Sequence, residues 1–207
     1  MEENIKYYPY SIAQIKKDYH LDVLCPARTA QKENIALSIK LLYFFCDMLK
    51  STFTNDIEIL MCREIIILSY SILDGIVGCL GFKMQEQCNK CNRHCSYYFN
   101  EMSSSDTEFE NEEKSFKRAK KHLEDCEILY WSKGAKDFHS KYRNYRNNIH
   151  LTKNAKVINN DPFYTRESSN KAVEFLQEFI DVLYHNYQEF VDNNRCYNQI
   201  NKTQRRK

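Results

Sequence analysis

The chain has 207 residues, 43% of them hydrophobic and 28% charged, with a net charge of +2. That balance excludes a largely disordered chain, and it is too near neutral for a general nucleic-acid coat, so any nucleic-acid contact must be a local patch. Only 4 Gly and 3 Pro are present, too few for a many-stranded sheet with tight turns, and the length suits one domain with room for an insertion.

Residues 1–28 read as a short helix and a turn, with Ile12 and Ile15 as apolar anchors and Pro26 closing the segment. No secretory signal is expected, because Met1-Glu2-Glu3-Asn4 has no apolar run behind a basic start. A helical pattern then runs from about Thr29 to Ser51, carried by Ile35, Leu37, Ile39, Leu41, Leu42, Phe45 and Leu49. After Thr54-Asn55-Asp56, where Asn55 or Asp56 can cap, a more hydrophobic helix is expected from Ile57 to about Leu80. It is apolar on more than one side, which marks the central helix of a bundle. Its longest apolar run, around Ile65 to Leu73, falls short of the roughly 20 residues that span a bilayer, so no membrane contact is expected.

Gly78 and Gly81 are expected to end that helix. The composition changes there, and residues 83–110 read as a Cys-rich insertion between core helices. Helical spacing resumes from about Glu112 to Trp131 through Phe116, Leu123, Ile128 and Leu129. Gly134 separates this helix from a further one, and Asn159-Asn160-Asp161-Pro162 forms a turn. A last long helix is expected over about Glu167 to Asn193, with Val173, Leu176, Phe179, Ile180, Leu183, Tyr187 and Phe190 at helical spacing. The fold class is therefore all-α: a helical bundle occupying residues 1–195 as a single domain, followed by a polar basic tail over 196–207.

The nine cysteines are odd in number in a chain without an export signal. They read as reduced thiols of a cytoplasmic protein and not as a disulfide framework. Cys88-x2-Cys91 has the spacing of a zinc knuckle, with His94 and Cys95 in reach. His122 and Cys126 are four apart and share a helix face. The expected ligands of a structural zinc are Cys88, Cys91, Cys95 and Cys126, with His122 or Cys79 as alternative fourth ligands. A metal would help fold an insertion with few apolar residues; the alternative is a loop of reduced thiols.

The segment Phe138 to His150 carries the densest chemistry. On a helix, Phe138, Tyr142, Tyr145 and Ile149 form an apolar stripe, while Arg143, Arg146, Asn147 and His150 form a second stripe beside it. Two guanidinium groups, an amide and an imidazole thus adjoin buried surface. The sequence Tyr142-Arg143-Asn144-Tyr145-Arg146-Asn147-Asn148-Ile149-His150-Leu151 resembles the motif of the HEPN superfamily (higher eukaryotes and prokaryotes nucleotide-binding), an Arg, often followed by a polar residue such as Asn, with four to six residues between it and a His. More loosely, the hydrophobic helix pair before it and the amphipathic helix after it resemble the family's architecture.

The resemblance implies a metal-independent endoribonuclease, active as a homodimer on RNA, in a toxin or phage-defence setting with an antitoxin or other regulatory protein partner. It implies Arg143 and His150 as the catalytic pair and Asn144 as the polar residue after the arginine. Arg146 and Asn147 would support phosphate binding, and Tyr145 would stack on bases. Such chemistry needs no cofactor. Arg146 itself is one residue too close to His150 for the motif arginine, and the Tyr that some family toxins carry two residues after the His is Thr152 here. The alternative reading is a non-catalytic helical module of the same kind, binding RNA, nucleotide or a protein partner.

Overall fold

The structure is a computed structural model and describes residues 10–26, 29–90, 120–124, 126–129 and 164–192. Of the described residues 83% are helical and none lies in a strand, so the fold is all-α. The elements are α1 (Ile12–Asp18), α2 (Leu21–Leu24), α3 (Thr29–Met48), α4 (Asn55–Lys90) and α5 (Arg166–Asp192). Residues 120–124 add a short helical segment between α4 and α5.

Local chemistry sets the starts of these helices. Ser11 caps α1, its Oγ accepting from the Gln14 amide at 3.1 Å. At the start of α4 the Asp56 carboxylate accepts from the Thr54 hydroxyl and from the backbone amides of Asp56 and Ile57, which holds it below the usual carboxylate range. α4 is the central helix and packs against both α3 and α5. Its inner face carries Cys62, Ile65, Ile66, Ile72, Leu73, Ile76, Val77 and Leu80, all at or below 2% exposure. Against it lie Ile35, Ile39 and Leu42 of α3 and Leu176, Ile180 and Leu183 of α5. Burial of this apolar surface is the main favourable term in the fold.

Two cations tie the bundle together at its ends. Arg166, the first residue of α5, donates to the Leu49 carbonyl at 2.5 Å and to the Ser51 carbonyl at 3.4 Å. It also pairs with Glu58 at 2.7 Å, so one guanidinium pins the turn between α3 and α4. Lys83 donates to the Val23 carbonyl at 3.0 Å and lies 4.7 Å from the centre of the Tyr187 ring.

The sequence places two helix ends differently from the structure. Gly78 and Gly81 do not end α4, which continues to Lys90. No glycine among the described residues has positive φ, and Leu80 and Met84 beyond Gly78 are buried. Each helical glycine costs about 1 kcal/mol, less than burying the apolar side chains that follow it. Residues 83–90, expected to open the insertion, are thus a continuation of the core helix. The helix expected to reach Trp131 turns instead at Cys126–Glu127, where Glu127 adopts φ 60°. The Glu127 amide bonds to the Glu124 carbonyl and the Ile128 amide to the Leu123 carbonyl, both at 3.0 Å. That is a Schellman stop, with a glutamate at the position usually held by glycine.

By length and composition α4 from Asn55 to Gly81 is long and apolar enough to cross a bilayer, more so than its longest uninterrupted apolar run indicates. In the bundle 61% of that stretch is buried, as a core helix requires.

Candidate functional site

The motif residues Arg143, Asn144, Tyr145, Arg146, Asn147 and His150 lie outside the described residues, as do Cys91 and Cys95. What the structure gives is the frame on either side of them. On the upstream side, Leu123, Ile128 and Leu129 are at most 4% exposed. Asn186 of α5 donates to the Ile128 carbonyl at 3.1 Å, fastening the end of the Schellman stop to the bundle. On the downstream side Tyr164 is buried and leads into α5. The stretch carrying the motif is therefore anchored to the same helix bundle before and after.

Of the expected zinc ligands, Cys126 is 3% exposed and its amide bonds to the His122 carbonyl at 3.0 Å. His122 is itself 2% exposed, and burial holds its imidazole below the usual histidine range, so the ring is neutral near pH 7. A neutral imidazole four residues before a buried cysteine suits metal ligation, and it also suits a plain core position. Cys88 lies in the last turn of α4, and its side chain is outside those described. Among the described residues no three His, Cys, Asp or Glu side chains gather as a metal site.

Cys79, an alternative ligand on sequence grounds, has a different neighbour. Its thiol hydrogen-bonds that of Cys25 at the end of α2, and the contact together with burial pushes the Cys25 thiol far up. Cys62 is likewise pushed up by burial, while a hydrogen bond with Ser169 of α5 opposes the shift. Cys46, half-buried on α3, is pushed up to about 11 by burial. Thiols held in this protonated form are poor nucleophiles, which separates them from catalytic cysteines.

One cluster was invisible in the sequence. His20, at φ 53°, stacks on Tyr184 of α5 with centroids 3.8 Å apart and planes 7° off parallel. Its Nε2 lies 3.8 Å from Asp181 Oδ1, at an exposed edge of the bundle. The sequence leaves His20 and His185 without partners; here Tyr184 meets both, with the His185 ring edge-on at 5.7 Å. No local spacing joins residues so far apart in the chain. A polar group of the same kind lies deeper, where the Tyr19 and Tyr43 hydroxyls meet at 2.5 Å and Gln177 Nε2 donates to Tyr43 at 3.2 Å.

No family model, curated protein or solved structure matches the chain. The functional reading therefore rests on the motif residues and on the all-α frame.

Proposed function

We propose that this chain is a metal-independent endoribonuclease of HEPN type. The observation that carries the reading is the Arg143-Asn144-x5-His150 pattern, on a polar stripe beside the apolar stripe of Phe138, Tyr142, Tyr145 and Ile149, in an all-α protein. Cleavage of RNA without a metal needs a group that exchanges a proton near neutral pH and a fixed cation for the charge on the pentacoordinate phosphate. His150 supplies the first and Arg143 the second.

The ribose 2′-OH loses its proton and attacks the adjacent phosphorus. The bond to the 5′-oxygen breaks, and that oxygen takes up a proton, leaving a 2′,3′-cyclic phosphate and a 5′-hydroxyl end. DNA lacks the attacking group and is spared. Asn144, Arg146 and Asn147 position the phosphate, and Tyr145 offers a face for a base. The working unit is a homodimer in the cytoplasm, held in check by an antitoxin or regulatory protein, and any zinc at Cys88, Cys91, Cys95 and Cys126 is structural.

The test is RNA cleavage in EDTA by the wild type and by His150→Ala and Arg143→Ala, each checked for native helicity. Loss of roughly 100-fold or more in rate in either variant, with cyclic phosphate ends from the wild type, supports the reading. No cleavage by any of the three over a varied RNA set overturns it in favour of a non-catalytic binding module.

A further inference from the structure

α3 is apolar on two opposite faces. Ile35, Ile39 and Leu42 point into the core, while Leu37, Leu41 and Phe44 stand outward with exposures of 53%, 44% and 47%. These three follow one another at i, i+4 and i+7, and Met48, half-buried and packed in part against the core, closes the line. No charge interrupts it from Asn34 to Met48. Exposed apolar residues scattered singly are ordinary, as Val182 and Val191 on α5 are; three consecutive turns of them on one helix are not.

Charge on the flank identifies the occupant. Lys40 and Asp47 lie seven residues apart along one side of the stripe, in a row that Glu33, already paired with Lys16, precedes, so beside the exposed apolar residues the row carries one positive and one negative charge. If two α3 helices pack antiparallel about a twofold axis, Leu41 of one copy faces Phe44 of the other, and Leu37 faces Met48. The same register brings Lys40 of each copy beside Asp47 of the other, giving two reciprocal pairs of opposite charge. Setting Leu41 against Leu41 instead would place the two Lys40 ammonium groups together. Among the described residues of one copy Asp47 pairs with exposed Lys50, at 2.5 Å, a contact readily exchanged. A surface that is self-complementary in shape, polarity and sign is what an isologous interface requires.

We infer that the outward face of α3, centred on Leu41 and Phe44, is the surface on which a second copy of this chain docks. The inference names a surface for the homodimer of the proposed function, but its readout is oligomeric state and is separate from RNA cleavage.

The experiment is sedimentation equilibrium and light scattering on the full chain over a concentration series, for four proteins. The wild type is expected at twice the 24.8 kDa chain mass. Leu41→Glu places a carboxylate at an exposed position, so the fold stays intact by circular dichroism while the dimer dissociation constant rises at least 100-fold. Lys40→Asp weakens the dimer roughly tenfold by turning two attractions into repulsions. Adding Asp47→Lys to it restores the wild-type constant. A wild type that stays monomeric at high concentration overturns the inference, since another segment of the chain or another partner then covers the face. So does a dimer indifferent to Leu41→Glu, or a double charge swap no better than the single one.

Discussion

Gly75 and Gly78 sit one turn apart on α4 and make a controlled comparison. A Cβ at Gly78 meets nothing within 4 Å, whereas one at Gly75 meets Ile35 Cδ1 and Cγ1 of α3, both at 3.2 Å. Both glycines are helical and neither has positive φ. Alanine at either site therefore gains the helix-propensity difference of about 1 kcal/mol. At Gly78 nothing opposes that gain, so Gly78→Ala is expected to stabilise by about 1 kcal/mol and raise Tm by about 2–4 °C. At Gly75 the new methyl must displace Ile35, which is 5% exposed and has little room to retreat. Overpacking costs about 1–3 kcal/mol, so Gly75→Ala is expected to destabilise by about 1 kcal/mol net. The two alanines should thus differ in sign, by about 2 kcal/mol in all. Urea denaturation followed by circular dichroism measures both. Repeating Gly75→Ala in an Ile35→Ala background should turn its effect stabilising, a coupling of about 2 kcal/mol. Equal effects at the two glycines, or a Gly75→Ala effect unchanged when Ile35 is shortened, would refute the close approach of α3 and α4 at this point.

Three further outcomes are expected. Glu127→Gly should stabilise by about 0.5–1 kcal/mol, because glycine takes the left-handed stop at Glu127 without the Cβ penalty; thermal melts check it. Burial lowers the His122 pKa, so the unfolded chain binds that proton at a higher pH than the folded one. Stability should therefore fall as pH drops below about 6.5, and a His122→Gln variant should lose that part of the slope in urea midpoints measured against pH. Cys25, Cys62, Cys79 and Cys126 should resist iodoacetamide in the native protein and react on unfolding, with Cys46 intermediate; mass spectrometry of labelled peptides reads this out, and rapid native labelling of Cys25 would contradict its burial.

Periodicity was enough for the architecture. α3 is found at Thr29–Met48 where Ile35 through Leu49 repeat at helical spacing, and α5 at Arg166–Asp192 where Val173 through Phe190 do. The central place of α4 also follows from a sequence apolar on several sides. The helix ends were harder, because they depend on competition between local preference and packing. Gly78 and Gly81 look like stops until the burial of Leu80 and Met84 is known. Glu127 carries no sign of a left-handed residue, since its conformation is imposed by the docking of Leu123, Ile128 and Asn186. Contacts such as His20 with Tyr184, or Arg166 with Leu49, join positions more than a hundred residues apart, and no short-range pattern encodes them. For the candidate site the position is the reverse: Arg143 to His150 stand out in the sequence, and the described frame supplies the anchors at Leu129 and Tyr164 around them.

The uninterrupted course of α4 also makes it a ruler. A helix of 36 residues is about 54 Å long, and its path from Leu80 in the core to Cys88 near its end is a rigid stem advancing about 1.5 Å and turning about 100° per residue. Cys88 is thus delivered at a fixed height and a fixed azimuth relative to the core. Deleting one residue between Met84 and Cys88 would leave the bundle buried as before but swing Cys88 by more than a quarter turn. Deleting all three residues between them would shorten the stem by about 4.5 Å and leave the azimuth about 60° off. Whatever the cysteine-rich segment meets, its phase against the bundle is set by counting residues along this one helix.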